Sequence, residues 1–472
     1  MLFNSFEYVL FLVIVFGLFW ALARSAVLRV LLLLVASYVF YMSWNATFIV
    51  LIVASTMIDY VVGARLGRTE AHRWRALLLA VSVITNVALL GLFKYADFFI
   101  DATAQSLALA GVHIAPAHLN LILPVGISFY TFQSMSYTID IYRRQIEPTR
   151  SFIEFATYVA FFPQLVAGPI VRAKEFLPQF RRAPSLTTER LGEGLFLILC
   201  GMTKKVLIAD YLAANLIDRV FDTPGSYSST EVWIAVFGYT WQLYGDFSGY
   251  TDIARGSAKL FGFELPENFN RPFQATGPIE FWRRWHMTLS RWVQDYIFIS
   301  LGGSRRGKAR TYVNLFITFM IIGIWHGAGW TFVLFGLWHA IGVTSNRFLR
   351  DLLGPGRRRA RGALRAALMG LNLFFFVVHW PIFRSPNVSR MIEVYQQMFA
   401  MQLWPIRIGP SVLAVIIGMT VIHYTPQRWV ENLERAMIRL PAIGQAAVVA
   451  IVAAILMVVG GSQPAPFIYF QF

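Results

Sequence analysis

The sequence predicts an all-α, polytopic integral membrane protein. Of its 472 residues, 57% are hydrophobic and only 14% are charged, whereas a soluble domain carries about 25% charged residues. The mean hydropathy is +0.56, and no stretch of useful length alternates polar and apolar residues as a strand would. These observations together predict about eleven transmembrane helices, accompanied by re-entrant and interfacial helices.

A helix that crosses a bilayer needs roughly 20 mostly apolar residues. Proline or polar residues interrupt several candidates, so the expected number of spans is about ten to thirteen. The first candidate has no Lys or Arg before it and is followed by further apolar segments, which predicts an uncleaved span rather than a signal peptide. The candidate spans are residues 8–23, 27–44, 47–64, 76–95, 119–141, 152–170, 191–213, 231–250, 311–335, 364–382, 409–424 and 442–460.

The net charge of +16 would suggest nucleic acid in a soluble protein. In a membrane protein, Lys and Arg instead collect in cytoplasmic loops and meet anionic lipid, so no nucleic-acid partner is predicted. Residues 63–75 and 143–150 are basic, whereas residues 97–118 contain two Asp and no Lys or Arg. This pattern predicts a periplasmic N-terminus. After residue 170 basic stretches come too often for simple alternation.

Two further features have plain structural interpretations. Cys200 is the only cysteine, so no intramolecular disulfide is possible, and we expect it to be a small buried hydrophobe. The Gly- and Arg-rich stretch 347–365 predicts a solvated cytoplasmic loop. No segment is long and polar enough for a separate soluble domain.

The stretch "YTWQLYGDFSGYTDIARG" (239–256) places four polar or charged residues, Gln242, Asp246, Asp252 and Arg255, in a membrane-like region. Intramembrane charges are costly and usually face a bundle interior or a wet cavity. They therefore indicate either a substrate site or an internal ion pair that fixes helix packing. Both interpretations stay open for Asp246 and Asp252.

Residues 266–310 combine aromatic and basic side chains. If residues 282–294 form one helix, Arg283, Met287, Ser290 and Gln294 share a face, with His286 beside it. An amphipathic surface helix anchored at the interface by Trp282, Trp285 and Trp292 is the alternative. The following loop, "LGGSRRGKAR" (301–310), is rich in Gly and basic residues. Its Arg305 and Arg306 could receive the phosphates of a nucleotide-like donor, or only anchor a cytoplasmic loop.

Two histidines occur in the apolar stretch "IGIWHGAGWTFVLFGLWHA" (322–340). Small residues surround His326 and permit close approach of a backbone or substrate. On an unbroken helix His339 lies about 220° away, so the two would not share a face. A histidine in such a niche suits general-base chemistry on a hydroxyl, but it also suits a transporter. His379 and His423 are expected to be core histidines.

Several other chemistries have no signature here. The sequence contains no H-E-x-x-H metal helix, no P-loop and no G-x-S-x-G nucleophile elbow. Its histidines do not show metal-ligand spacing with Asp or Glu, so no metal site is predicted.

The chain resembles the membrane-bound O-acyltransferase family, and within it the bacterial subunits that acetylate alginate. The motifs follow the family's order, and together they are specific. They are "LPVGISFYTFQSMSYTIDIYR" (123–143), "YVAFFPQLVAGPIVR" (158–172), "GLFLILCGMTKKVLIAD" (194–210), "YGDFSGYTDIARG" (244–256), "NFNRPF" (268–273), "FWRRWHMTLSRWVQDYIFISLGGSRRG" (281–307) and "IWHGAGWTFVLFGLWH" (324–339).

The resemblance implies a ring-like core of helices around a central funnel. It implies N-terminal transmembrane helices in 1–118, the catalytic core in 119–345 and C-terminal transmembrane helices in 346–472, integrated in one domain. The family's hallmark histidine corresponds to His326, and its second active-site position corresponds to His286. The other expected site residues are Trp325, Trp330, Asp246, Ser290, Arg283 and Asn270 for substrate, and Arg305 and Arg306 for the donor phosphates.

The implied activity is acetyl transfer from cytoplasmic acetyl-CoA, with no bound cofactor, for O-acetylation of an extracytoplasmic, alginate-like polysaccharide. The expected location is the bacterial inner membrane, and the expected partner is a periplasmic acetyltransferase of the SGNH hydrolase type. Two alternatives remain open: transfer of D-alanyl or another acyl group to a cell-wall polymer, and a transporter or flippase for a lipid-linked saccharide.

Overall fold

The computed structural model describes residues 1–166, 168–354, 361–459 and 467–468. Throughout these residues the regular secondary structure is helical and contains no strand, which confirms the all-α prediction. The chain forms two compact units, residues 1–194 with 254–265, and residues 195–253 with 266–472. The functional division at residues 118 and 345 stays a prediction.

The first unit begins with helices whose N-terminal N–H groups are capped by serine. Ser5 Oγ accepts the Tyr8 N–H, and Ser25 Oγ accepts the Leu28 N–H, which satisfies donors that a helix start leaves open. The helices of this unit are α1 (Phe6–Ala21), α2 (Ala26–Met42), α3 (Ile49–Arg68), α4 (His72–Leu90), α5 (Ala96–Leu109), α6 (Ile127–Tyr142), α7 (Phe152–Ala160), α8 (Phe162–Leu165), α9 (Ala173–Phe176) and the first part of α10 (Thr188–Thr203).

Helices α3, α4 and α6 are joined by a buried carboxylate. Asp59 on α3 accepts hydrogen bonds from Ser82 Oγ at 2.5 Å and from Asn86 Nδ2 at 2.8 Å, both on α4. Ser134 Oγ on α6 donates to the same carboxylate. Three donors compensate for taking the carboxylate out of water, so Asp59 fixes how these helices pack.

The second unit contains one long buried helix and several broken ones. Helix α12 runs for 32 residues, and its last seven residues belong to the first unit. The π-helical segments Lys204–Asp210 and Ala213–Ile217 lie beside it, and a third, Gln294–Phe298, directly follows α14. The helices beyond α10 are α11 (Asp218–Asp222), α12 (Ser229–Leu260), α13 (Pro278–Trp282), α14 (Met287–Val293), α15 (Lys308–His326), α16 (Trp330–Leu353), α17 (Gly362–Arg384), α18 (Val388–Met398), α19 (Pro410–Tyr424), α20 (Gln427–Arg439) and α21 (Ala442–Val459).

Helices α15 and α16 form a hairpin in which two glycines let the backbones touch. A Cβ built on Gly323 would lie 2.4 Å from the Gly336 Cα and 2.7 Å from the carbonyl oxygen of Phe332. Both positions are closer than carbon atoms can approach, so the hairpin depends on glycine at 323.

Replacing Gly323 by alanine should therefore destabilise the protein by about 1–3 kcal/mol, because the two backbones must separate. The matched control is Gly418→Ala on α19, where a Cβ meets nothing within 4 Å; its effect should be neutral or slightly stabilising. Denaturant unfolding of the purified protein in detergent measures both. Equal stability of the two variants would contradict this packing.

In the part of the chain that the structure describes, three helical stretches are long and apolar enough to cross a membrane: Ala46–Arg68, His72–Leu109 and Gly362–Arg384. Four apolar helices of that part are shorter: Phe6–Ala21, Ala26–Met42, Pro410–Tyr424 and Ala442–Val458. The predicted total of about eleven spans therefore stays a prediction.

Some predicted spans are interrupted in the structure. Within 119–141 the helix starts only at Ile127, and 152–170 is divided between α7 and α8. The span expected over 311–335 breaks at 327–329, between α15 and α16. In the basic loop 347–365, residues 355–360 lie outside the described residues.

Candidate active site

His286 lies at a break in the chain that the sequence did not predict. Helix α13 ends at Trp282, α14 begins at Met287, and His286 between them adopts the left-handed conformation with φ 42° and ψ 54°. Such a backbone is uncommon outside glycine and often marks a functional site. The continuous helix expected over residues 282–294 is therefore wrong, and Arg283 and Ser290 do not share one helical face.

A neighbouring segment holds this break in place. The Asn270 N–H donates to the Arg284 carbonyl oxygen at 2.8 Å, and the Met287 N–H donates to the Asn268 carbonyl oxygen at 2.9 Å. The side-chain Oδ1 of Asn268 accepts the Thr288 hydroxyl at 2.6 Å. These bonds on both sides of His286 stabilise its unusual backbone.

The surroundings of His286 are apolar and aromatic. The side chain is fully buried, and the ring of Phe247 on α12 meets it edge-on with centroids 4.7 Å apart. Burial lowers the pKa of His286 to about 3, so the imidazole is neutral at pH 7. A neutral imidazole can donate one hydrogen bond and accept another.

The three tryptophans near His286 are also buried. Trp282, Trp285 and Trp292 are each less than 7% exposed, and the Trp285 ring stacks on Phe281 at 5.5 Å. The alternative of a surface helix anchored by these side chains at a membrane interface is therefore wrong. They pack inside the second unit.

His326 is the last residue of α15 and is also buried. Its ring lies 5.2 Å from Phe335 on α16 and 5.5 Å from Phe383 on α17, in edge-to-face contacts. The next residue must be small, because a Cβ on Gly327 would come within 2.1 Å of the Phe332 ring. The helix therefore ends at His326, and the imidazole of its last turn contacts α16 and α17.

Trp325 brings the two histidines into one site. The centroid of its indole ring is 5.1 Å from that of His326 and 6.2 Å from that of His286. Two imidazoles forty residues apart in the sequence thus share one aromatic neighbour. This arrangement can position a hydroxyl and a carbonyl beside two imidazoles while excluding water.

The expectation that His339 is turned away from His326 is wrong, because the helix breaks between them. Both rings contact Phe335, at 5.2 Å for His326 and 4.5 Å for His339. His339 in turn lies 4.8 Å from His379. The His379 Nδ1–H donates to the Phe376 carbonyl oxygen at 2.5 Å, which fixes that tautomer. Phe335 contacts both of these histidines as well as His326.

Beside the site, Asp246 is held by an internal ion pair. The Lys205 Nζ lies 2.6 Å from Asp246 Oδ1 and 2.7 Å from Asp210 Oδ1. The other oxygen of Asp246 accepts the Ile468 N–H at 2.7 Å. With both oxygens engaged, Asp246 is better placed to support the adjacent Phe247 than to contact substrate, and its expected substrate contact stays a prediction.

A second ion pair involves Asp252, further along α12. The Lys204 Nζ is 2.5 Å from Asp252 Oδ2, and both side chains are partly exposed. The sequence left two interpretations open for the charges on this helix, a substrate site or an internal ion pair. The observed contact of Asp252, like that of Asp246, is an internal ion pair.

The remaining predicted site residues differ in burial and position. Trp330 begins α16 and is 49% exposed. Arg283 and Asn270 are exposed, as are Arg305 and Arg306, which lie in the turn between α14 and α15. Ser290 is half-buried, and its N–H donates to the His286 carbonyl oxygen at 3.0 Å. Roles for these residues stay predictions.

Three residues of the site were missed by sequence reasoning. Asn268 is fully buried, whereas the predicted Asn270 is exposed. Phe247 contacts His286, and Lys205 pairs with Asp246. A signal existed for Lys205, because a lysine inside an apolar run indicates a buried partner. Nothing local distinguishes the two asparagines.

The site therefore has the groups for proton transfer at a buried centre in a helical membrane protein. Comparison with known proteins identifies the class. The model of the membrane-bound O-acyltransferase family matches residues 143–377. The chain belongs to this family and is an O-acyltransferase, which confirms the resemblance seen in its motifs.

The chain is similar to several characterised or named relatives. A probable alginate O-acetylase from Pseudomonas aeruginosa is 38% identical over 425 residues, covering 86% of this chain and 78% of that protein. The peptidoglycan O-acetyltransferase of Helicobacter pylori is 36% identical over 405 residues, covering 80% and 75%. The teichoic acid D-alanyltransferase of Bacillus subtilis is 29% identical over 221 residues, covering only 45% and 55%.

Proposed function

We propose that this protein uses acetyl-CoA on the cytoplasmic side of the inner membrane to O-acetylate an extracytoplasmic polysaccharide of the alginate type. The observation that carries the proposal is the pair of buried imidazoles, His286 and His326, which both contact the ring of Trp325. Similarity to an alginate O-acetylase over most of both chains supports acetyl as the group and polysaccharide as the destination.

In the proposed reaction His326 is the general base. It accepts the proton of the acceptor hydroxyl while that oxygen attacks the acetyl carbonyl carbon. The new C–O bond forms, the C–S bond of the thioester breaks, and the leaving thiolate takes up a proton. Proton transfer to a positioned imidazole is the general-base step that this reaction needs.

His286 has a different role in the proposal. Because the pKa of its buried ring is lowered to about 3, it is a poor proton acceptor but a good hydrogen-bond donor. We assign it to orienting or polarising the thioester carbonyl. Its backbone, held by the hydrogen bonds of Asn268 and Asn270, fixes the direction of that donor. Arg305 and Arg306 are proposed to receive the phosphates of the donor before it reaches the histidines.

The acceptor side requires a second protein in this proposal. A periplasmic acetyltransferase of the SGNH type would take the acetyl group and complete transfer to the polymer. The N-terminus is then periplasmic, as the loop charges predict.

The proposal is tested by the chemistry of the modified polymer. The gene would be deleted and restored in its bacterium, and ester-linked groups on secreted and cell-wall polysaccharides would be analysed by mass spectrometry. We expect acetyl esters on a secreted polysaccharide to disappear and return. Loss of D-alanyl esters instead would overturn the acetyl assignment, and unchanged esters with altered polymer export would favour a transporter.

A further inference from the structure

A cavity in the first unit is lined by arginines and by aromatic rings. Its volume is about 100 Å³, several times the roughly 10–15 Å³ that one water needs by the same measure. It lies where α1, α2, the segment after α9 and the loop after α12 meet. The residues that define it are Arg29, Arg182, Arg190, Phe19, Phe180 and Phe261.

Arg29 is the unusual member of this cavity. The residue is only 6% exposed, and its guanidinium makes neither a hydrogen bond nor an ion pair within the described residues. Within the described residues, the contact that offsets its charge is with the face of Phe19, at 5.8 Å between Cζ and the ring centroid. A buried charge without a partner is costly, which indicates that a ligand supplies the missing anion.

The other two arginines add positive charge without a carboxylate. Arg190 Nη1 reaches only the carbonyl and hydroxyl oxygens of Ser185, at 3.4 and 3.3 Å, and Arg182 has no ion pair in the described part of the chain. Glu264 also lines the cavity, but its carboxylate forms an ion pair with Lys259, with 3.1 Å between Oε2 and Nζ. The cavity is therefore positive on balance.

We propose that this cavity binds a phosphate group, supplied by the headgroup of an anionic membrane lipid such as phosphatidylglycerol. Guanidinium groups match phosphate oxygens in geometry and charge. The aromatic rings of the lining suit the glycerol and first methylenes of a lipid. The loop charges predict that this end of α1 and α2 is cytoplasmic, where anionic headgroups attract basic residues.

The bound phosphate would connect α2 to the segment 179–190 and the loop 261–264, which meet at the cavity. The ligand therefore completes the packing of the first unit. This inference does not depend on the proposed acetyl transfer, because the cavity lies wholly in the first unit and the histidines lie in the second.

The test uses the full-length protein purified in a neutral detergent, with phosphatidylglycerol, phosphatidylcholine or sodium phosphate added. Bound ligand is counted by native mass spectrometry, and stability is followed by thermal unfolding. We expect phosphatidylglycerol to bind and raise the unfolding temperature, and phosphatidylcholine to do neither. Stabilisation by millimolar sodium phosphate would also support the site but would make soluble phosphate the source.

The variants distinguish the cavity from surface charge. Arg29→Gln should weaken phosphatidylglycerol binding at least tenfold, whereas Arg24→Gln, an exposed arginine at the same end of α2, should leave it unchanged. Without ligand, Arg29→Gln should be at least as stable as the wild type, because an unpaired buried charge is removed.

If Arg29→Gln does not fold, Arg182→Gln serves instead, since this side chain is exposed and its removal should weaken binding several-fold. The proposal is overturned if no phosphate compound binds, or if the cavity variants bind as tightly as Arg24→Gln.

Discussion

Replacing His326 by alanine should reduce acetyl transfer by about 10²–10⁴-fold, the range that a general base contributes. The imidazole is buried against Phe335 and Phe383, where water cannot take over its role. The acetyl content of the secreted polysaccharide in complemented deletion cells measures the effect.

Two controls make this result specific. His113→Ala removes an exposed histidine of the first unit and should leave acetylation unchanged. Membrane abundance and the size-exclusion profile of His326→Ala should match those of the wild type. Acetylation at wild-type level in His326→Ala would remove this residue from the chemistry.

The largest effect on stability is expected from breaking the pair beside the site. Lys205→Met leaves the carboxylate of Asp246 buried without its cation, which should destabilise the protein by about 3–5 kcal/mol. Lys205 is 2% exposed and Asp246 is 3% exposed in their side chains, so water cannot replace the lost partner. Thermal unfolding in detergent, with activity measured in parallel, reports the change.

A compensating variant separates charge from packing. Lys205→Met combined with Asp246→Asn removes both charges, and the amide oxygen can still accept the Ile468 N–H. This double variant should recover most of the lost stability. Lys174→Met, at an exposed lysine, should have no effect. If the double variant is as unstable as Lys205→Met, the loss comes from packing and the role assigned to the ion pair is wrong.

The fold class could be predicted because hydropathy depends on composition and on local periodicity. The positions of the helix breaks could not be predicted in the same way. Residues 282–294 have an uninterrupted helical pattern, yet the chain turns at His286 because Asn268 and Asn270, sixteen to eighteen positions earlier, hydrogen-bond on either side of it. Such pairing is long-range, and no local propensity contains it. The break after His326 had a local signal in the sequence Gly-Ala-Gly (327–329).

The candidate site could also be predicted only in part. Family motifs indicated His286 and His326, but only the fold shows that both rings contact Trp325. Helical periodicity predicted that His326 and His339 face different directions. Because the chain forms a hairpin, both rings instead contact Phe335. Whether Asn268 or Asn270 faces inward is decided by the register of one segment against another, which a single sequence does not specify.

The most direct test of the account is transfer of acetyl groups across a membrane by the purified protein. Proteoliposomes would receive acetyl-labelled acetyl-CoA outside and would enclose an alginate oligosaccharide with periplasmic extract. We predict labelled ester on the enclosed oligosaccharide and matching release of CoA thiol outside, both lost in His326→Ala. Equal labelling by wild type, His326→Ala and empty liposomes would contradict the account.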